Sequence, residues 1–278
     1  RKARWVIPVK VMTPELKQKM GRRALDFGPP NSRKTTAILT TAYYPLQIVS
    51  FPGEMGWATI PDGVKGLTSY VWEKAPGDIV TADSMRRDVE DTVFQIIAGK
   101  NGPVRTLALE GFHKLYDVYL NVATAGSFGR GEDFEAQRYG RAHQMAASFL
   151  RKVLSSPVEY VIVTTWNAPE ADKAGEKSAH EWPDLPGRMS KLVVGMFSLV
   201  VYSKLTNGFV GGKPTIVPEW LIAKDPEVWG ASIKIDPRLA AKLPARVPQN
   251  WKKLYELIGG AEAEVDSEHT TVTESVWD

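Results

Sequence analysis

The sequence predicts an α/β fold, a mainly parallel sheet with helices on both faces, extended by an N-terminal arm and a C-terminal appendage. Three observations carry this. Apolar runs at 24–27, 46–51, 105–110, 157–166 and 196–205 have strand length and little polar alternation, the pattern of strands buried on both faces. Segments with helical spacing at 37–44, 84–98 and 134–154 fall between them. A loop bearing Gly and Pro, Gly28 to Thr36, joins the first run to the first helix, so a helix N-terminus follows a strand directly, as anion sites require.

Residues 1–20 read as an arm, with a β-like stretch from Trp5 to Met12 and a helix start at Thr13-Pro14-Glu15-Leu16, proline taking the first helical position. The core spans 21–210. Leu46 to Phe51 is its second strand and stops at Pro52-Gly53-Glu54-Met55-Gly56. Leu67 to Trp72 is a further short apolar run. The helix over 84–98 is capped by Asp83 or Ser84, with Met85, Val89, Val93, Phe94 and Ile97 at helical spacing. Arg105 to Glu110 is a strand that ends on an acid. Phe134 to Leu154 is a long helix, and the strand that follows ends at Thr165-Trp166-Asn167. Residues 211–260, with prolines at 214, 218, 226, 237, 244 and 248, read as a looser appendage closing in a helix from Trp251 to Ile258. Residues 261–278 read as a flexible acidic tail.

Composition narrows the chemistry. The 278 residues include no cysteine, which removes disulfides, thiol catalysis and Cys-type zinc sites and fits an intracellular, cytoplasmic protein. Four histidines leave little scope for a His-based metal centre. No run of 18 apolar residues predicts a membrane span, and the basic then apolar start is too short and Pro-interrupted for a secretory signal. The net charge of +3 conceals an asymmetry. The tail holds six acidic residues and no Lys or Arg, so residues 1–260 carry 35 basic side chains against 26 acidic (32 less six), a balance of +9. A basic body neutralises phosphates, and an acidic tail competes for the same surface or meets a replication or recombination partner.

The loop Gly28-Pro29-Pro30-Asn31-Ser32-Arg33-Lys34-Thr35-Thr36 matches the phosphate-binding pattern G-x-x-x-x-G-K-[ST] with one departure, Arg33 in place of the second Gly. Its backbone N–H groups are suited to cradle phosphates, Lys34 to reach the β/γ-phosphates and Thr35 to ligate Mg²⁺. Glu110 is suited to hold the metal from the end of its strand, where an acid with no task is expensive to desolvate. Glu54, just past the carboxyl end of the second strand, is the base for the attacking water. Thr165 and Asn167 are the sensor positions for the γ-phosphate.

These four features, in this order, resemble the RecA-type ATPase core, and in particular the compact RecA-like ATPases encoded by bacteriophages. Gly28 to Thr36, Glu54, Leu107 to Glu110 and Val161 to Asn167 carry the resemblance, which covers roughly residues 22–205. It implies ATP and Mg²⁺ as cofactors, hydrolysis in homo-oligomers, whether filaments or rings, and action on single-stranded DNA in recombination or replication. It further implies two DNA-contacting loops: Asn121 to Asp133, with Arg130, and Ala168 to Lys191, with Lys173, Lys177, Trp182, Arg188 and Lys191. Flexible glycines, cations and rings suit backbone neutralisation and base stacking. Lys224 is the residue matched to a cation supplied to a neighbouring subunit, with Arg138 and Arg141 as rivals, and the arm is expected to pair with that neighbour. Two other functions share the loop: a small-molecule kinase, with Arg86-Arg87 or Arg138 to Arg141 as its lid, and a nucleotide-binding scaffold in which Arg33 and Glu110 have eroded hydrolysis.

Overall fold

The computed structural model describes residues 22–60, 63–72, 79–125, 132–171, 177–210, 213–222, 232–233 and 243–259. The arm and the acidic tail lie outside the described residues. In chain order the elements are β1 (Arg23–Phe27), α1 (Lys34–Thr41), β2 (Leu46–Ser50), β3 (Leu67–Val71), α2 (Ile79–Ile97), β4 (Thr106–Glu110), α3 (Phe112–Ala125), α4 (Glu132–Leu154) and β5 (Tyr160–Thr165). There follow β6 (Asn167–Ala171), β7 (Lys177–Pro183), α5 (Arg188–Met196), β8 (Leu199–Val210), β9 (Lys213–Leu221), β10 (Ser232–Ile233) and β11 (Arg246–Pro248). A last helix, α6, covers 251–259.

The main sheet runs β11-β9-β8-β1-β5-β4-β2-β3, with β10 against β8. From β8 to β3 every neighbouring pair is parallel; β9, β10 and β11 are antiparallel additions. The chain leaves β1 toward β2 on one side and later crosses from β5 to β8 on the other. Strand order therefore reverses at β1, and ligands of open α/β sheets bind beyond the carboxyl ends at such a point.

Period-two alternation assigns each strand residue to a face. Leu25, Phe27, Val49, Leu107, Leu109, Val161 and Val163 pack with α2 to α5, whereas Ala24, Ile48, Ala108 and Ile162 pack with α1 and α6. The same count places Asp26, Ser50, Glu110 and Thr164 on the α1 face, near the carboxyl ends of four neighbouring strands. No helix among the described residues is long and apolar enough to cross a membrane.

Several expectations are corrected. Helix α2 begins at Ile79, so Asp83 lies inside it and accepts from the Arg86 guanidinium at 2.9 and 3.1 Å instead of capping. Helix α3 absorbs 121–125 of the first expected loop, and residues 126–131, with Arg130, lie outside the described set. The second expected loop is largely ordered into the β6–β7 hairpin and the start of α5. Met196 closes α5, and the strand starts at Leu199.

Residues beyond 210 do not stand apart from the sheet. The expected boundary falls between β8 and β9, which pair antiparallel with each other, and β11 pairs β9 in turn. Pro214 and Pro218 are tolerated because β11 reaches only Glu219 to Leu221, so that among the described residues the rest of β9 is an edge. Trp220 and Trp251 are fully buried with ring centroids 4.3 Å apart, which fixes α6 on the α1 face.

Beneath this pair lies Asp26, wholly buried, accepting from Ser203 Oγ at 2.6 Å and from Trp220 Nε1 at 3.2 Å. Burial pushes its carboxyl up to about 7, against the pull of Lys34. The folded chain therefore keeps a proton that the unfolded chain loses near pH 4, so this group's contribution to stability falls as pH rises from about 4 to about 7. In urea unfolding, Asp26→Asn is expected to gain stability relative to wild type between pH 5 and pH 8. A difference that does not change with pH would overturn this assignment.

Candidate functional site

The phosphate-loop sequence forms the turn between β1 and α1. It begins in contact with β8: a Cβ at Gly28 would stand 2.4 Å from the Ser203 carbonyl oxygen, so only glycine lets the two backbones approach. Asn31 and Arg33 adopt the left-handed region, with φ of 62° and 67°. Arg33 thus carries a glycine-like backbone where the usual motif has glycine, and its exposed side chain lines the cavity above. Helix α1 starts at the next residue, and the N–H groups of its first turn have no intrahelical acceptor.

Lys34 is buried and its three ammonium protons are all engaged, by the carbonyls of Gly28 and Pro29 at 2.8 Å each and by Ser32 Oγ at 3.0 Å. Burial lowers its pKa, while Asp26, Glu54 and Glu110 act to raise it. Gln249, from far along the chain, donates to the Ser32 carbonyl at 3.0 Å and so braces the loop from outside.

Glu110, at the end of β4, accepts from the Thr35 hydroxyl on one oxygen and from Ser50 Oγ at 3.0 Å on the other. Burial raises its pKa; the Thr35 and Ser50 hydroxyls oppose that, and the charge of Glu54 adds to it. Glu54 is held by the N–H groups of Met55 and Gly56, both bound to Oε1 at 3.1 and 3.2 Å, and among the described residues Oε2 accepts no hydrogen bond. Gly111 makes room for it. Its φ is +79°, and a Cβ there would meet Glu54 Oε2 at 2.5 Å.

These groups converge on a cavity of about 340 Å³ whose lining includes Lys34, Thr35, Glu54 and Glu110 together with Thr164 and Trp166. The two sensor positions read from the sequence are displaced. Thr165 faces away, toward α3, where its hydroxyl is 3.5 Å from His113 Nδ1, and Asn167 donates to Glu181 across the β6–β7 hairpin at 2.6 Å. Thr164 and Trp166 take the cavity side because side chains alternate along β5.

The expected nucleic-acid residues are spread around the hairpin. Trp182 lies on β7, Arg188 and Lys191 are exposed in the first turn of α5, and the Lys191 ammonium sits 5.3 Å from the Trp182 ring. Lys177 opens β7, its side chain outside the described residues, as are Lys173 and Lys224 altogether. Of the rival cations, Arg138 pairs with Glu135 on α4 at 3.5 Å. Sequence reasoning missed Asp26, Ser50, Thr164, His113 and Gln249. His113 alone offered a signal, as a histidine one turn beyond the strand-end acid.

The donor set fits a magnesium nucleotide. Thr35 and Glu110 present a hydroxyl and a carboxylate side by side, hard oxygen ligands of the kind Mg²⁺ takes along with substrate phosphates.

No protein-family model matches the chain, and no curated protein matches it in sequence. Similar solved structures include a prototypical ATPase from the type III secretion system of pathogenic bacteria, at 11% identity and a TM-score of 0.44, covering 66% of this chain and 51% of that one. EscN, the assembled ATPase of the enteropathogenic E. coli type III secretion system, gives 13%, 0.42, 66% and 43%. The flagellar accessory protein FlaH from Methanocaldococcus jannaschii gives 10%, 0.34, 76% and 85%. The chain spans about half the length of the two secretion ATPases, and likenesses this slight say nothing of its activity.

The backbone at Arg33 yields a test. A left-handed non-glycine residue costs about 1–2 kcal/mol, and glycine's extra unfolded-state entropy returns about 0.5–1 of that. Arg33→Gly is therefore expected to stabilise the fold by about 0.5–1 kcal/mol in urea unfolding; a loss of stability would show that the guanidinium holds the loop.

Proposed function

We propose that the chain is a RecA-like P-loop ATPase that binds ATP at residues 28–36 and hydrolyses its γ-phosphate bond. The observation that carries this reading is the convergence of Lys34, Thr35, Glu110 and Glu54 on one cavity at the N-terminus of α1. Strand order supports the RecA-like assignment: β5 lies between the phosphate-loop strand β1 and the acid-bearing β4, and β2, which leads to Glu54, lies just beyond.

Each group has a task its surroundings explain. The unpaired N–H groups of α1 and the helix dipole favour the β-phosphate. Lys34 exchanges its loop acceptors for phosphate oxygens, bringing a charge already desolvated and needing little reorganisation. Magnesium, when bound, neutralises charge on the phosphates, and Thr35 and Glu110 are the residues that hold it. Glu54, fixed through Oε1 and open at Oε2, takes the proton of the attacking water.

The exposed Arg188 and Lys191, with Trp182 beside them, make single-stranded DNA the ligand we assign to the hairpin side of the molecule. Self-association through residues 1–20, with Lys224 acting across subunits, completes the proposal, as does recombination or replication as its setting. A small-molecule kinase is the rival reading, and a nucleoside screen separates the two.

The test is ATP hydrolysis with and without single-stranded DNA. Lys34→Ala is expected to abolish turnover and weaken nucleotide binding. Glu54→Gln is expected to lower kcat by about 10²-fold or more while KM changes little. Wild-type turnover that neither substitution affects would overturn the assignment of the site; turnover indifferent to DNA would overturn the DNA arm.

A further inference from the structure

His113 is a buried titratable group that these roles leave unexplained. It is the second residue of α3, only 6% exposed, and its Nε2 has no hydrogen-bond partner among the described residues. A buried, unsatisfied ring nitrogen is costly unless something is meant to meet it. Nε2 lies 3.9 Å from Glu54 Oε2, the oxygen that the Met55 and Gly56 N–H groups leave free. On the opposite side, Nδ1 is 3.5 Å from the Thr165 hydroxyl at the end of β5. The ring also packs on Trp166, centroids 4.4 Å apart, and the Trp166 carbonyl accepts the Asp184 N–H at 2.8 Å just beyond the β6–β7 hairpin.

The surroundings select one tautomer. With a carboxylate on the Nε2 side, a proton on Nδ1 would leave two acceptors facing each other. A proton on Nε2 instead points a donor at Glu54, and the Thr165 hydroxyl donates to the bare Nδ1. Burial, with the nearby charges of Lys114 and Lys34, holds the imidazole neutral, its pKa lowered to about 3. The remaining gap is about 1 Å beyond a normal N–H···O distance. A shift of about that size in the ring, which packs on Trp166, would close the contact.

We propose that His113 is a positioning residue that orients the free oxygen of Glu54 and ties that orientation to the end of β5 and the hairpin beyond it. This rests on the ATPase reading given above. Thr165, which does not reach the cavity itself, then acts on the base through the imidazole. Contact from Nε2–H holds Oε2 in line; release of the ring lets the carboxylate swing.

The experiment combines kinetics with a direct reading of the tautomer. His113→Phe keeps a ring against Trp166 but removes both nitrogens, and is expected to lower kcat about tenfold or more with the KM for ATP within about twofold. His113→Gln, whose amide nitrogen stands near the position of Nε2, is expected to recover part of that loss. Thr165→Val added to His113→Phe is expected to cost nothing further, because the two act in one chain. Long-range ¹H–¹⁵N correlation on the histidine-labelled wild type, a measurement that needs no variant, is expected to show His113 protonated on Nε2.

A His113→Phe protein with wild-type kcat, additive losses in the double variant, or a proton on Nδ1 would each overturn the relay while leaving the ATPase reading intact. A wild type that does not hydrolyse ATP would overturn the ATPase reading and the relay with it.

Discussion

The site depends on placing three carboxylates and one ammonium group together in a layer from which water is largely withdrawn. Asp26, Glu54 and Glu110 stand near Lys34 at the carboxyl ends of neighbouring strands. Each buried charge costs several kcal/mol to desolvate, and one cation does not offset three anions. The chain relieves the imbalance in two ways. It aims donors at every carboxylate: Ser203 and Trp220 at Asp26, Thr35 and Ser50 at Glu110, and two backbone N–H groups at Glu54. It also lets burial push Asp26 and Glu110 toward the neutral form. Much of the packing nearby follows from these demands, including the contact that brings Trp220 on β9 over β1.

The same demands explain where the backbone is tight. Glycine at 28 lets the loop press against β8, and glycine at 111 lets α3 start directly after the acid without striking Glu54. That immediate start is what brings His113 round to the far side of Glu54. A loop of ordinary length between β4 and α3 would have carried the imidazole away from the site.

How much of this was legible in the sequence followed from how much each residue's role is local. The phosphate loop is contiguous, and the acids at 54 and 110 sit at the ends of strands, so order along the chain was enough to find them. The face of β5 was not legible, because Tyr160 to Thr165 is buried throughout and leaves no polar alternation to tell Thr164 from Thr165. Helix α3 escaped notice because the chain passes from strand to helix at a single glycine, with no polar stretch to mark the change. The prolines of β9 suggested loose structure when they signified an edge. Asp26 looked like one polar residue in an apolar run; its partners, Ser203 and Trp220, lie 177 and 194 residues away.

That separation governs how the molecule must come into being. Strand β1 has as its sheet neighbours β5 and β8, which begin at Tyr160 and Leu199. At about 5–20 residues per second, a ribosome finishes β8 on the order of ten to forty seconds after β1. Until β5 has been made, Ala24, Leu25 and Phe27 have no strand to lie beside, and until β8 follows, the loop after them has no β8 backbone to rest on. Loop-closure entropy further disfavours such distant pairing until most of the chain exists. The nucleotide pocket is thus among the last features to assemble, although its defining sequence is translated early.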